Sequence, residues 1–373
     1  MHLYLHIPFC RQACHYCDFH FSTSLKAKSE IVQAICQEIA LQKNYLQDRN
    51  LETIYFGGGT PSLLEEADFI QIFETIATYF NIKPDAEITL EVNPDDLTKE
   101  KLQLFKKYHI NRLSIGIQSF HEPHLKSLNR IHNAQEAESC VKLSQDIGIL
   151  NISIDLIYGI PAERDDILYL DLEKATALNT NHISAYCLTI EPKTVFGKWL
   201  KQGKIQTIDD DFAATQFDIL VTQLAQNGFE QYEISNFARD NHYSRHNTSY
   251  WQQQEYLGIG PSAHSFNHVS RQYNVANNAQ YLKALHQNNI PAEVETLTFE
   301  DKLNEYLLIG LRTKWGCNIQ KINELSKSNF LETNAIFLER QLSEGFLLIE
   351  NNTLLLTSKG KLFADRIASD LFL

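Results

Sequence analysis

The sequence has a single methionine, Met1. Beyond that residue a thioether ligand to iron is excluded, so any axial iron ligand must come from His, Cys or Tyr. No apolar run approaches the roughly eighteen residues of a membrane span, and the mean hydropathy is −0.29, so no transmembrane segment is expected. Basic residues are the scarcer charge, 33 against 46 acidic ones, giving a formal net charge of −13. That balance argues against a broad nucleic-acid footprint, which needs cationic patches to displace counterions. Cysteines number seven, an odd total, and no secretory leader is visible ahead of the strand-like LYLHI. A disulfide framework is therefore disfavoured, and residence in the cytoplasm is expected.

What is present is concentrated near the start. Cys10, Cys14 and Cys17 fall within the run HIPFCRQACHYCDF. A C-x3-C-x2-C loop offers three thiolates where an iron–sulfur cluster normally takes four, which leaves one metal corner open to an exogenous ligand. A zinc ion completed by His6, His15, Asp18 or His20 is the alternative, and reduced thiols without metal are a third reading. Phe9, Tyr16, Phe19 and Phe21 flank the loop and can exclude water from a reducible centre, which favours the cluster. Cys36, Cys140 and Cys317 lack partner spacing and read as buried thiols.

At 373 residues the chain has room for one large domain and a smaller one. Short apolar runs alternate with amphipathic stretches, the pattern of repeated β-α units on a parallel sheet. Strands are predicted at Leu3–Ile7, Thr53–Phe56, Glu87–Val92, Arg112–Ile117, Ile152–Ile157 and His182–Leu188. Helices are predicted at Lys28–Leu46, Leu64–Tyr79, Lys101–Tyr108, Ala134–Ile147, Asp166–Leu178 and Phe212–Gln226. Six strands are too few for an eight-stranded barrel, so the expected fold is α/β, an open partial (β/α)6 TIM-like barrel over residues 1–230 with its site at the C-terminal strand ends. Residues 231–295 read as irregular structure covering the barrel mouth, and residues 296–373 as a helical, winged-helix-like module. Lys359, Lys361 and Arg366 are few beside the acids there, so docking or structural support is expected of that module rather than DNA binding.

Directly after the second strand comes Gly57-Gly58-Gly59-Thr60-Pro61-Ser62. Three glycines let a backbone come close to a ligand, and Pro61 stiffens the exit; alone, the run would read as a tight β-α turn. Placed beside the cysteine loop, it resembles the radical S-adenosylmethionine superfamily. That resemblance implies a [4Fe-4S] cluster on Cys10, Cys14 and Cys17, with S-adenosylmethionine chelating the open iron. It also implies that Gly58, Gly59 and Thr60 receive the cofactor's amino group. IYFGGGTPS, TLEVNPDDL, RLSIGIQSF, Asn129-Arg130 and ISIDLIYGIP further resemble the coproporphyrinogen-oxidase-like branch. By that resemblance Glu91 and Asp155 contact the cofactor ribose, Gln118 its polar edge, and Arg130 its carboxylate.

Oxygen-independent coproporphyrinogen oxidases carry a fourth cysteine two residues past the third, where this chain has Phe19. Residues 17–19, CDF, and the run YEISNFARDNHYSRHNTSYWQQQEYLGIGPSAHSF are instead similar to the HemW group of heme chaperones, whose H-N-x-x-Y-W hallmark appears as His246 to Trp251. The resemblance implies heme as a third bound group, with His246, Tyr250 and Trp251 at its site. His242, His264 and Cys187 are rival iron ligands, and Arg239, Arg245 and Arg271 are candidates for the propionates. The implied partners are acceptor hemoproteins, those of the respiratory chain included; a homodimer and peripheral membrane contact are compatible with it. Two enzyme classes stand as alternatives, a radical tetrapyrrole oxidase or decarboxylase and a nucleic-acid-modifying radical enzyme.

Overall fold

A computed structural model describes residues 1–162 and 166–373. Six strands alternate with helices in its first half: β1 (His2–Ile7), β2 (Asn50–Gly58), β3 (Asn81–Val92), β4 (Arg112–Gln118), β5 (Asn151–Tyr158) and β6 (His182–Cys187). The crossovers are α1 (Lys28–Leu41), α2 (Glu66–Tyr79), α3 (Lys99–Lys107), α4 (Glu122–Ser127), α5 (Ala134–Asp146) and α6 (Asp166–Ala177), followed after β6 by α7 (Val195–Lys201) and α8 (Asp210–Gln226). β1 to β6 pair in sequence order and all run parallel, as predicted. The start of α5 is capped locally: Asn133 Oδ1 accepts from the Glu136 amide while Glu136 returns a bond to the Asn133 amide, closing a capping box.

Strand alternation divides the chemistry. Leu3, Leu5, Ile54, Phe56, Leu90, Leu113, Ile115, Ile154 and Ile183 are buried in the main apolar core. The intervening residues are polar and bond to one another across the interior: His2 to Thr53, Tyr55 to Glu91, Ser114 to Asp155, Ser153 to His182. Barrels of this kind ordinarily fill with branched aliphatic side chains. Here the lumen is a hydrogen-bonded polar core.

Residues 231–295, expected to be irregular, instead extend the same sheet at both edges. β7 (Glu230–Glu233) and β8 (Asn236–Ala238) add antiparallel beyond β6. On the other side β9 (Tyr256–Ile259) lies parallel to β1, and β10 (His264–Phe266), β11 (Ser270–Asn274) and β12 (Ala292–Thr296) follow antiparallel, making a sheet of twelve strands. Strands of three to five residues are too short to show period-two patterning.

The helix that carries H-N-x-x-Y-W, α9 (Arg245–Trp251), was expected over the barrel mouth and sits at the opposite end. Its first amides, from Arg245 and His246, donate to the Glu87 carboxylate at 3.2 and 3.0 Å, a favourable charge at a helix N-terminus. His246 also meets Thr53. Thr53 and Glu87 are register partners near the start of the parallel sheet, and five residues, roughly 16 Å of strand, separate Thr53 from Gly58. α9 therefore closes the floor.

The C-terminal module has its own core, around Leu303, Leu307, Leu311, Leu354 and Ile367. Its order is helix (Phe299–Leu311), strand (Cys317–Asn318), helices, then strands Leu347–Glu350 and Thr353–Leu356 in one three-stranded sheet, the order of a winged helix. It docks on β7 through Arg312, paired with Glu233 at 3.0 Å and Asp365 at 2.8 Å, and through Lys314 on Glu230. Among the described residues no helix is long and apolar enough to cross a membrane.

Candidate functional site

The parallel strands end together, and the loops leaving β1 and β2 interlock there. The Gly59 amide donates to Ile7 O at 2.9 Å and the Thr60 amide to Phe9 O at 2.7 Å. Glycine is required at that crossing: a Cβ on Gly59 would stand 2.6 Å from Phe9 O, and one on Gly58, at φ 99°, would stand 2.4 Å from the His6 ring. The cysteine loop is tied further by Cys10 N to Ser22 O, His15 N to Leu128 O and Phe196 N to His15 O.

Cys10, Cys14 and Cys17 lie in this loop, each half-buried, and two of their sulfurs accept hydrogen bonds from the barrel. Thr60 Oγ1 donates to Cys10 Sγ and Arg130 to Cys14 Sγ, both at 3.4 Å. Asn93 links the two donors, giving its amide hydrogen to Thr60 Oγ1 at 3.1 Å and accepting from Arg130 at 2.6 Å. The sequence reading missed Asn93, which follows Glu91 by two residues in the run EVNP.

These donors suit sulfur that carries negative charge, as cluster ligands do. Burial pushes the Cys10 thiol up to about 11 and the Cys17 thiol to about 12, so without a metal both stay protonated. Among the described residues no three Cys, His, Asp or Glu side chains, the three cysteines included, are grouped around one point. His6 and His15 bond to the backbone oxygens of His20 and Ser127, and His20 to Asn278 Oδ1. The donors on Cys10 Sγ and Cys14 Sγ fit a cluster held by these thiolates. Phe19 departs from expectation. It is 68% exposed, so it does not shield the loop, whereas Phe9 is fully buried.

The remaining predicted residues converge on the same end. Glu91 accepts from the Gly58 amide at 3.1 Å and from Tyr55 OH at 2.8 Å. Burial, with Asp155 nearby, raises its carboxyl to about 7. Asp155 accepts from Ser114 Oγ at 3.1 Å, and burial lifts it to about 6. Gln118 ends β4 in the left-handed region at φ 69°. A Cβ on Gly116 would stand 2.9 Å from Gln118 Nε2 and 3.4 Å from Arg130 Nη2, so both side chains fold over that glycine. Arg130 differs from its expected free role, since Asn93, Gly116 O and Cys14 occupy its terminal nitrogens and, among the described residues, only its Nε is buried without a partner.

The H-N-x-x-Y-W residues are not part of this cluster. His246 is 0% exposed, with both ring nitrogens engaged: Nδ1 with Thr53 Oγ1 at 2.5 Å and Nε2 with Tyr250 OH at 2.8 Å. Burial keeps its pKa well below 6.5, and His2 is lowered likewise, so both rings are neutral at pH 7. The Gln254 amide nitrogen faces Gln252, so its oxygen accepts from His2 Nε2 at 2.6 Å. Bond directions then follow along the chain: Tyr250 O–H to His246 Nε2, His246 Nδ1–H to Thr53, Thr53 O–H to His2 Nδ1. Trp251 packs edge-on to Tyr232. The candidate propionate partners are also engaged, Arg239 over the Phe229 ring, Arg245 on Asp85 O and Arg271 on Glu305. His264 is exposed against Tyr273, His242 bonds Arg239 O, and Cys187 ends β6, half-buried. Of the other thiols Cys140 and Cys317 are buried and Cys36 is half-buried.

A parallel barrel whose first strand leads into C-x3-C-x2-C and whose second leads into GGGTPS has the architecture of the radical SAM proteins, and residues 4–173 match the model of the radical SAM superfamily. Membership implies a [4Fe-4S] cluster and S-adenosylmethionine. More narrowly, the chain belongs to the HemW family. It is 31% identical to the heme chaperone HemW of Bacillus subtilis across 98% of this chain and 97% of that protein. It is 38% identical to the heme chaperone HemW of Escherichia coli over 70% of this chain and 69% of that one. The fold matches the solved structure of coproporphyrinogen III oxidase (HemN) from Escherichia coli with a TM-score of 0.85 at 22% identity, over 99% of this chain and 89% of that one.

Proposed function

We propose that this chain is a heme carrier of the cytoplasm: it holds a [4Fe-4S] cluster on Cys10, Cys14 and Cys17, binds S-adenosylmethionine beside it, and passes heme to acceptor hemoproteins, respiratory ones among them. The observation that carries the reading is the pair of hydrogen bonds placed on two sulfurs of a three-cysteine loop, in a chain alike from end to end to proteins named heme chaperones. When bound, the cluster supplies an electron and an open iron for the cofactor's amino and carboxylate groups. Gly58, Gly59 and Thr60, at the end of β2 beside the cysteine loop, would receive the amino group. Glu91 and Asp155 would meet the ribose hydroxyls, Gln118 the polar edge, and Arg130 the carboxylate through Nε, its one unpartnered nitrogen. His246 would become an iron ligand only by exchanging the Tyr250 hydroxyl on Nε2, because that nitrogen carries the lone pair.

The test is transfer. Reconstituted protein loaded with heme should reconstitute an apo-hemoprotein while the tetrapyrrole is recovered unchanged. Conversion of coproporphyrinogen to protoporphyrinogen with loss of carbon dioxide would replace the carrier with an oxidase.

A further inference from the structure

We propose that Arg112 is a positioning residue for Asp155: sealed inside the barrel, its guanidinium supplies the positive charge that lets this carboxylate accept the ribose hydroxyls. The proposal rests on the reading above, in which Asp155 meets the ribose of S-adenosylmethionine.

Arg112 opens β4 and is 2% exposed, the one lysine or arginine wholly enclosed among the described residues. A cation so enclosed ordinarily has a carboxylate or several acceptors hydrogen-bonded to it. Arg112 has neither: Nε is buried without a partner, and the guanidinium makes no hydrogen bond or ion pair among the described residues. Thr89, its register partner on β3, likewise has a buried hydroxyl without a partner. A charge left unpaired in this way acts at a distance, through the low dielectric of the lumen.

Register brings that charge beneath Asp155. Arg112 and Ser114 lie on the same face of β4, about 7 Å apart along the strand. Ser114 Oγ donates to Asp155, 3.2 and 3.1 Å from its two oxygens, which draws the carboxylate from β5 toward β4. The other groups around Asp155 do not favour its charged form. Glu91 on β3 is a like charge, and Tyr55 on β2 and Tyr186 on β6 are phenols, uncharged at pH 7. His182 on β6 reaches it through Ser153 and is neutral, held well below 6.5 by burial and then by Arg112. Arg130 lies across Gly116 with its terminal nitrogens on Asn93, Gly116 O and Cys14.

Burial lifts the Asp155 carboxyl to about 6, and the Ser114 bond and the Arg112 charge hold it from rising further. The group is thus narrowly ionised at pH 7. An ionised carboxylate accepts both hydroxyls of a ribose diol in charge-assisted bonds, whereas protonation turns one acceptor into a donor.

Equilibrium binding of S-adenosylmethionine to the full-length, cluster-loaded protein, followed from about pH 5.5 to about pH 9, tests the assignment. Wild type should weaken as pH falls through about 6. Arg112→Met keeps a long side chain in the barrel and removes the charge, so its midpoint should rise by about one to two pH units. At pH 7 it should then bind about fourfold to tenfold more weakly than wild type, and at about pH 9 almost as well. Arg112→Lys should hold the wild-type midpoint, and Arg112→Gln should repeat the shift where the apolar variant fails to assemble its cluster. Glu91 stays in place throughout, so the difference between variant and wild type reads Asp155. An unmoved midpoint in the neutral variants, or affinity lost equally at every pH, would make Arg112 a packing residue and overturn the proposal. Asp155→Asn separates that outcome from failure of the reading beneath it. This variant should bind weakly and without the step near pH 6; if it binds like wild type throughout, the ribose contact itself fails. If it is weak while Arg112→Met keeps the wild-type profile, the ribose contact stands and the role given to Arg112 is wrong.

Discussion

Arg130 reaches the sulfur of Cys14 at 3.4 Å, although 116 residues separate the two in sequence. The connection between α4 and α5 thereby supports the loop after β1, and Asn93 steadies the contact from just beyond β3.

A hydrogen bond and a positive charge at a cluster sulfur favour the reduced, more negative state. Arg130→Ala should therefore leave the iron content intact and move the cluster potential to more negative values. Asn93→Ala should do the same to a smaller extent. Anaerobic potentiometry followed by electron paramagnetic resonance reads the shift; an unchanged potential would show the guanidinium does not act on the sulfur.

Glu91 makes a pH-dependent contribution. Its carboxyl is raised from 4.5 to about 7, so the folded protein keeps a proton that the unfolded chain releases, and stability falls as pH rises through that window. His6, lowered by burial to about 4, acts oppositely and loses stability as pH falls below its ordinary 6.5. The difference between wild type and Glu91→Gln isolates the carboxylate. The variant should gain on the order of 1–2 kcal/mol relative to wild type between pH 5 and pH 7.5, allowing for solvent screening of a half-buried group. Urea denaturation at the two pH values checks it, and a pH-independent difference would contradict it.

Thr53 stands between two neutral imidazoles. Thr53→Val removes a hydroxyl while keeping the shape, leaving His246 Nδ1 and His2 Nδ1 buried and unpaired. A loss of roughly 2–4 kcal/mol is expected from two such groups, measured by chemical denaturation of the cluster-free protein. A change under about 0.5 kcal/mol, the size of an ordinary surface substitution, would mean the floor network is not structural.

Glu38 is a fully buried carboxyl group on α1 that accepts from Gly260 N, Asn274 Nδ2, Tyr281 OH and Gln42 Nε2. Glu38→Ala removes the acceptor these donors share and should cost about 3–5 kcal/mol. Glu38→Gln should cost less. The ordering of the two midpoints in a urea titration is the check.

The parallel half of the fold was legible because Leu3 to Ile7, Arg112 to Ile117 and Ile152 to Ile157 carry dense branched residues between amphipathic stretches. β3 starts at Asn81, six residues ahead of the predicted Glu87, because Asn81 to Asp85 is polar and holds Pro84, and only pairing with Asn50 and Leu51 makes it a strand. The site was legible where chemistry is compressed into short runs, as in the three cysteines and GGGTP. Asn93 was hidden because its role lies in joining Thr60 to Arg130, side chains remote in sequence. The H-N-x-x-Y-W helix went to the wrong end for the same reason: the partner of His246 is Thr53, 193 residues away.

The most direct measurement is metal analysis with electron paramagnetic resonance of the anaerobically reconstituted, reduced protein before and after S-adenosylmethionine is added. About four irons per chain, a signal that changes on addition, and loss of the cluster in Cys10→Ser, Cys14→Ser or Cys17→Ser are the expected results. Zinc in place of iron, or a cluster spectrum indifferent to S-adenosylmethionine, would contradict a three-cysteine centre with an open corner.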